Sequence, residues 1–369
     1  MKVPFLDLKI QNKLLSDEIL ASWKDILESS QFIGGEHVIE FEKEFAKACE
    51  TDYCVCVNSG TDALRFIFIA LGLNNGDEVI TVPNTFIATT EAISQAGGKI
   101  VFVDIDSDTY NMDSKKIIEK ITPRTVGIVP VHLYGQPADM EPICTIAKKY
   151  GLWVVEDACQ AHLARYKGHK VGSIGIAAAF SFYPGKNLGA CGDCGAVTTN
   201  DSMIASKIRA LRDHGQTEKY YHEMEGYNGR CDALQAVVLR IKLKYLESWN
   251  EERRKNAQYY FELLSTIDKV GLPYIMDECV HVYHLFVIQV DKRDLVAEEL
   301  KKRGIDTGLH YPLPLHIQPA YFDMNIPVGS FPVAEACAKR ILSLPMFPEL
   351  TRAQMCYVRD SLREILNDL

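Results

Sequence analysis

The sequence predicts an α/β fold: a large domain with a mostly parallel, seven-stranded sheet flanked by helices, followed by a smaller α+β domain. Seven apolar, β-branched runs lie at residues 54–57, 78–82, 99–104, 126–132, 152–157, 178–182 and 196–199. Most of these runs are apolar on both faces rather than alternating, which is typical of strands buried between helix layers. Helix-like segments separate several of the runs, and this alternation favours a parallel sheet.

Helical patterns lie between the strands and dominate the last third of the chain. Between the strands we expect helices at residues 61–72, 86–96 and 140–150. The pattern over 231–264 is too long for one average helix, so we expect it to bend or to join two domains. After it we expect an alternating strand and two short helices, at residues 282–290, 295–303 and 333–343. We therefore predict a large domain with an N-terminal arm over 1–245 and a small C-terminal domain over 246–369.

Composition narrows the possible partners and the compartment. The 369 residues include 40 Lys and Arg against 49 Asp and Glu, a net charge of −9, which argues against a nucleic-acid partner. A local basic pocket for one small anion remains compatible with this balance. No segment reaches the length of a membrane span, and the polar start of the chain does not resemble a signal peptide. Eleven irregularly spaced cysteines indicate free thiols in a reducing cytoplasm.

A lysine in a glycine-rich turn is the sharpest feature of the sequence. Lys186 follows a predicted strand within the segment SFYPGKNLGACGDCG at 181–195. The glycines suggest close approach of the backbone to a ligand, and a lysine withdrawn from water can act as an amine nucleophile. The spacing does not fit a P-loop or a dinucleotide fingerprint. Cys191 and Cys194 have the spacing of a zinc or disulfide pair, but no second pair follows, so we predict no metal site.

Three further segments contain candidate site residues. Asp157 ends an apolar strand, where it either caps a following helix or places an anion beneath a cationic ring. The segment NSGTDAL at 58–64 follows a strand and opens a helix, a geometry that suits phosphate, although Ser and Thr cap many helices. The loop HYPLPLH at 310–316 is polar, aromatic and rich in proline, and it fits a substrate-binding loop and a structural loop equally well.

Together these segments resemble the pyridoxal-phosphate-dependent sugar aminotransferases of the DegT/DnrJ type, within the fold-type I aminotransferases. The resemblance covers essentially the whole chain. Its motifs lie at residues 3–8, 32–36, 58–64, 156–162, 181–195, 226–235 and 344–349. The combination is specific to the family, whereas each motif alone is not. This sequence departs from the usual pattern mainly in its cysteines: Cys159, Cys191, Cys194 and Cys231.

The resemblance implies roles for individual residues. Lys186 would hold pyridoxal 5'-phosphate as a Schiff base, and Asp157 would pair with the protonated pyridine nitrogen so that the ring can accept electrons. Asn228 would reach the phosphate of the neighbouring subunit's cofactor, which implies a homodimer. The resemblance also assigns cofactor contacts to Gly60, Thr61, Phe86, Gln160 and Ser181. Substrate contacts are expected from His310, Tyr311 and His316.

The implied function is the transfer of an amino group from glutamate to a nucleotide-linked keto-deoxysugar, with pyridoxamine phosphate as the intermediate form of the cofactor. The product would be an amino sugar for a glycan or a glycosylated product. The 3-keto substrate is slightly favoured over the 4-keto, because 310–316 and 220–228 look more like the 3-amino branch. Lys186 argues against the related dehydratases, which carry histidine there. The alternatives are an aminotransferase for a cyclitol ketone and a non-catalytic regulatory protein of the same fold.

Overall fold

The structure is a computed structural model that describes residues 1–369. Its helices are α1 (Lys9–Ser29), α2 (Glu36–Ala48), α3 (Gly60–Ala70), α4 (Ala88–Gln95), α5 (Met140–Tyr150), α6 (Ser202–Leu211), α7 (Ala233–Leu264), α8 (Arg293–Lys302), α9 (Pro332–Arg340) and α10 (Arg352–Asp368). Its strands are β1 (Tyr53–Val57), β2 (Glu78–Thr81), β3 (Lys99–Phe102), β4 (Thr125–Ile128), β5 (Trp153–Asp157), β6 (Arg165–Tyr166), β7 (His169–Lys170), β8 (Ala177–Ser181), β9 (Gly195–Thr199), β10 (Gln216–Glu218), β11 (Tyr221–His222), β12 (Cys279–Val280), β13 (Phe286–Gln289) and β14 (Ile341–Leu344). No helix is both long and apolar enough to cross a membrane.

Seven strands form one sheet in the order β1-β9-β8-β5-β4-β2-β3. Only β9 runs antiparallel to its neighbours, so the predicted, mostly parallel sheet is confirmed. Every residue of β2 and β9 is buried, as expected of strands covered on both faces. The carboxyl ends of β5 and β8 reach the same edge of the sheet as the start of α3, and this edge is where open α/β sheets bind ligands.

The long charged pattern forms one continuous helix, α7, of 32 residues. Its first half contributes Ala236, Leu239 and Leu246 to the apolar core beneath the large sheet. Its second half contributes Ala257 and Tyr260 to a separate core formed with the C-terminal elements. The helix thus joins two packing units. The predicted domain boundary at residue 245 falls inside it and stays a prediction.

The C-terminal region differs from the prediction in one respect. Residues 341–343 were expected to be helical, but α9 ends at Arg340 and the chain continues as β14, which pairs antiparallel with β13. All four residues of β14 are buried, because an apolar ILSL run gains more by completing a two-stranded sheet than by extending a polar helix. The N-terminal arm joins this unit through the Val3 amide, which donates to the carbonyl of Gly304 at 2.8 Å.

Candidate functional site

A cavity of about 650 Å³ opens at the carboxyl ends of the central strands. We call it the main cavity. It is lined by residues from the N-terminal arm, from the start of α3, from the ends of β5 and β8, and from the loop after residue 309. It contains most of the residues that the sequence marked as candidates: Gly60, Thr61, Phe86, Asp157, Gln160, Ser181, Lys186, His310 and Tyr311.

Asp157 is buried at the end of β5, and both of its carboxylate oxygens are hydrogen-bonded. The hydroxyl of Thr89 donates to Oδ2 at 2.7 Å, and the amide of Cys159 donates to Oδ1 at 3.2 Å. The Thr89 hydroxyl lies 2.8 Å from that of Thr85. No helix begins after Asp157, so the alternative reading of this residue as a helix cap is wrong. The contacts instead hold an anion in a fixed orientation at the cavity wall.

Lys186 lies in the turn after β8, and its side chain reaches the main cavity. Burial lowers the pKa of its amine, whereas the carboxylate of Asp157 acts in the opposite direction. The next residue fixes the turn: the Asn187 amide donates to Asn250 Oδ1 at 2.8 Å and to the carbonyl of Val282 at 2.9 Å. Gly189 is required in the turn, because a Cβ there would lie 2.2 Å from the carbonyl oxygen of Pro184. The amine is therefore held on a rigid support.

The start of α3 forms another wall of the main cavity. Ser59 caps the helix by accepting the amide of Asp62 at 3.1 Å. Gly60 lets the helix start approach β8, because a Cβ at this position would lie 2.7 Å from Ser181 Cβ and 2.9 Å from Cys159 Sγ. The unpaired amides and the dipole at a helix start favour an anion such as phosphate.

An aromatic and polar wall faces the lysine. The side-chain amide of Gln160 donates to the Tyr311 hydroxyl at 3.1 Å and accepts the amide of Tyr134 at 2.7 Å. The Phe86 ring is 5.8 Å from that of Tyr311, and Phe86 is 53% exposed, so its face remains available to a ligand. His310 stacks on Phe5 of the N-terminal arm, with ring centroids 5.7 Å apart.

Two predicted site residues do not line the main cavity. His316 is fully buried, and its Nε2 lies 3.0 Å from Glu335 Oε1, so its prediction as a substrate contact is wrong. The proline-braced loop turns this histidine inward against Phe331 instead. Asn228 is exposed and contacts Asp213 through a backbone bridge outside the cavity.

The structure also adds two site residues that the sequence did not single out: Arg253, which lines the main cavity, and Thr89, which contacts Asp157. Arg253 of α7 is buried and donates to the carbonyls of Tyr283 at 3.0 Å and Met346 at 2.9 Å. Burial lowers the pKa of its guanidinium to about 10, although the carboxylate of Glu349 acts in the opposite direction. Thr89 and Arg253 lie within helical patterns whose apolar and charged neighbours gave no local signal of a site.

Glu156, next to Asp157, points to the opposite side of the sheet because side chains alternate along a strand. It is fully buried, and its carboxylate accepts the amides of Gly172, Ile174 and Gly175 at 2.8–2.9 Å. His132 Nδ1 accepts the amide of Ala138, so its Nε2 carries the proton and donates to Glu156 at 2.9 Å. These donors lower the pKa of the Glu156 carboxyl although burial alone would raise it.

Replacing Glu156 with glutamine should destabilise the fold by about 3 kcal/mol or more, because the new amide must face at least one of four donors in a buried site. Since the pKa of Glu156 is lowered in the fold, its contribution is present above 4.5 and is lost as the pH falls below that value. Urea unfolding at pH 7 and pH 4 should therefore show a gap between wild type and variant that narrows in acid. Glu119→Gln, at an exposed position, should match the wild type.

The comparisons with known proteins agree with this geometry. Residues 13–363 match the DegT/DnrJ/EryC1/StrS aminotransferase family, so the chain belongs to that family. The family and fold class predicted from the sequence are thereby confirmed, and so is the prediction of a transaminase.

Two curated relatives and one crystal structure illustrate the similarity. The chain is 46% identical to the erythromycin biosynthesis sensory transduction protein EryC1 of Saccharopolyspora erythraea, over 98% of this chain and 99% of the relative. It is 46% identical to dTDP-3-amino-3,4,6-trideoxy-alpha-D-glucose transaminase of Streptomyces venezuelae, over 98% and 96%. The crystal structure of S. venezuelae DesV in complex with a ketimine intermediate matches at a TM-score of 0.96 and 46% identity, over 98% of both chains.

Proposed function

We propose that this protein uses pyridoxal phosphate to transfer an amino group from glutamate to a nucleotide-linked keto-deoxysugar. The observation that carries the proposal is the pairing, in one cavity, of a lysine amine with lowered pKa and a buried, hydrogen-bonded carboxylate. A site that only binds a ligand needs neither a lysine amine with a lowered pKa nor a hydrogen-bonded carboxylate in the same cavity.

The residues of the main cavity fit the cofactor. Lys186 would hold its aldehyde carbon covalently, and the carboxylate of Asp157 would accept a hydrogen bond from its protonated ring nitrogen. Gly60, Thr61 and Ser181 would bind its phosphate at the start of α3, where amides and helix dipole favour an anion. Phe86 would cover one face of the ring, and Gln160 would contact the ring edge. The cavity volume of about 650 Å³ leaves room for a substrate beside the cofactor.

When bound, the cofactor supplies an electron sink that stabilises negative charge at the substrate carbon. The chain supplies the proton transfers. In each half-reaction the neutral amine of Lys186, favoured by its lowered pKa, would move a proton between the amino-bearing carbon of the substrate and the reacting carbon of the cofactor. Asp157 would keep the ring nitrogen protonated, and Thr89 would keep Asp157 in position.

A carboxylate-bearing amino donor fits the electrostatics of the main cavity. Arg253 brings a buried positive charge to the cavity, and only backbone carbonyls contact its guanidinium. The carboxylate of Glu349 acts on this guanidinium but forms no salt bridge with it. A buried charge is costly, so the closer carboxylate of a bound glutamate would reduce the penalty. This supports glutamate as the donor.

The acceptor is proposed to be a 3-keto sugar in preference to a 4-keto sugar. Support comes from the S. venezuelae relative, which is named for a 3-amino sugar on dTDP. His310 and Tyr311, both at the cavity wall, are the proposed sugar contacts. The product would be an amino sugar for a glycan or a glycosylated product. The nucleotide itself stays open.

The active form is proposed to be a homodimer. Asn228 is exposed and lies outside the main cavity of its own chain, so its proposed phosphate contact would be made in the cavity of a second copy. Phe86 and Tyr183 at the cavity mouth are 53% and 60% exposed, and a second copy would cover these surfaces.

Location in the cytoplasm stays a prediction, supported by eleven cysteines that are all free of disulfides.

Two alternatives have less support. A cyclitol-ketone aminotransferase would need the same lysine and carboxylate. The S. venezuelae relative, however, is named for a sugar linked to dTDP, which favours a nucleotide sugar as the substrate. The EryC1 relative is described as a sensory transduction protein, which is the name expected for the regulatory alternative. A regulator, however, has no need of the paired Lys186 and Asp157.

The proposal is tested by following each half of the reaction separately. Purified protein loaded with pyridoxal phosphate should absorb at roughly 400–430 nm, as expected for a lysine-linked cofactor. Glutamate should bleach this band, and a dTDP-linked 3-keto-6-deoxysugar should restore it with formation of an amino sugar. Bleaching without restoration by that sugar, but with restoration by a cyclitol ketone, would favour the alternative. Protein that stays colourless after addition of the cofactor contradicts the proposal.

A further inference from the structure

Three cysteines that are distant in sequence meet in the core behind the main cavity. Cys56 lies on β1, Cys194 directly precedes β9, and Cys231 lies two residues before the first residue of α7. The sulfur of Cys194 is 3.4 Å from that of Cys56 and 3.1 Å from that of Cys231, and all three sulfurs lie within 4.8 Å of one another. The three side chains are at most 2% exposed. We call this group the trithiol cluster.

We propose that the trithiol cluster is a binding site for one thiophilic d10 metal ion, Zn²⁺ or Cu⁺. Three sulfur ligands without an accompanying carboxylate or imidazole favour these soft ions over Mg²⁺ or Ca²⁺. Each thiol would release its proton on binding, and the metal would accept a sulfur lone pair from each cysteine.

The distances favour a metal ion over a disulfide. A zinc ion lies about 2.3 Å from each thiolate, so two of its sulfur ligands stand roughly 3.8–4.0 Å apart. The two short separations of 3.4 and 3.1 Å would have to open by about 0.4–0.9 Å, a change that side-chain rotations can provide. A disulfide would instead require the closer pair to approach to about 2.05 Å. It would also consume an oxidant in a site sealed from solvent.

The surroundings can bear the negative charge of bound thiolates. Arg212 is partly buried beside the cluster, donates to the carbonyl of Cys56, and pairs with Glu42. The guanidinium places a positive charge beside the cluster, where it would offset part of the negative charge of the thiolates.

The position of the site suggests a structural role. Gly195, next to Cys194, packs so tightly against Ser59 that a Cβ would lie 2.3 Å from its carbonyl carbon. The Asn58 amide donates to the carbonyl of Gly229 at 3.1 Å, close to the Asn228 segment. An ion bound by Cys56, Cys194 and Cys231 would therefore tie together the supports of the start of α3 and of the segment before α7.

The test uses the full-length chain, reduced and stripped of metal with a chelator under anaerobic conditions. Titration with Zn²⁺ and, separately, with Cu⁺ should give one tightly bound ion per chain for at least one of them. X-ray absorption should place three sulfurs at about 2.3 Å from bound zinc. The melting temperature should rise by several degrees on binding, since the ion binds the folded state.

Variants identify the ligands. Cys194→Ala and Cys231→Ala should each weaken binding by more than the roughly 10–100-fold that loss of a supporting group around a metal typically costs. Cys191→Ala is the matched control, because this exposed neighbour should leave affinity unchanged. Two variants are used so that a folding defect in one does not decide the result. Absence of stoichiometric binding, binding by both core variants as tight as by the wild type, or a Cys194–Cys231 disulfide in the isolated protein would overturn the proposal.

Discussion

Replacing Lys186 with alanine should reduce turnover by about 10⁴-fold or more, because one side chain provides both the covalent hold on the cofactor and the proton transfer. The fold should survive, since the turn is fixed by Asn187 and Gly189 rather than by the lysine side chain. The variant should lack the absorption of the lysine-linked cofactor and yet retain pyridoxamine phosphate after gel filtration. Rates are measured in both half-reactions with the cofactor in excess.

The variant Lys186→Arg separates the chemistry of the lysine amine from its charge, and Lys148→Ala is the control. Lys186→Arg keeps a cation in the main cavity, but arginine does not lose its proton and therefore cannot act as the nucleophile or base. It should be as inactive as the alanine variant. Lys148→Ala, on the exposed side of α5, should retain full activity. Substantial turnover by either Lys186 variant would refute the assigned role.

The parts of the site that could be predicted are those encoded by short local patterns. Asp157 ends an apolar strand, Lys186 and Gly60 each follow one, and the ends of parallel strands must meet at one edge of a sheet. The proximity of these three residues could therefore be expected without knowledge of the strand order. The glycine-rich turn that carries Lys186 is also visible in the sequence, and Gly189 is required there by its close approach to Pro184.

Other features depend on contacts between distant residues and left no local signal. The Thr89 hydroxyl reaches Asp157 across 68 positions, and Arg253 looks like one more charge in a polar helix until packing buries it. The prediction of His316 as a substrate contact was wrong for a related reason. A proline-rich loop specifies a bend but does not specify which side chains face inward. The trithiol cluster joins residues 56, 194 and 231, so neither a CxxC spacing nor any other short motif could reveal it.

The single helix α7 illustrates a different limit. Its length suggested a bend or a domain junction, and the structure has one continuous helix that contributes to both cores. A helical pattern shows which residues form a helix, but the packing partners of each half depend on the rest of the chain. The apolar ILSL run of β14 likewise became a strand only because β13 offered it a partner.

Replacing Asp157 with asparagine should lower turnover by roughly 10²–10³-fold, the loss typical when one preorganised electrostatic contact to a developing charge is removed. The substitution preserves shape. The Thr89 hydroxyl can rotate to accept from the new amide, so the fold and the covalent hold of Lys186 on the cofactor should persist. What disappears is the negative charge that keeps the ring nitrogen protonated, so both half-reactions should slow while affinity for the cofactor falls much less.

Thr89→Val separates the charge of Asp157 from the orientation of its carboxylate. The variant removes the hydroxyl that donates to Asp157 at 2.7 Å but leaves the carboxylate in place. Loss of one hydrogen bond to a charged group costs about 1.5–3 kcal/mol. If part of this cost is relieved by rotation of the carboxylate, turnover should fall by about tenfold, well short of the effect of Asp157→Asn. The two effects are compared by single-turnover rates with glutamate at saturating cofactor. Equal losses would mean that position matters more than charge, whereas an Asp157→Asn variant as fast as the wild type would remove the carboxylate from the mechanism.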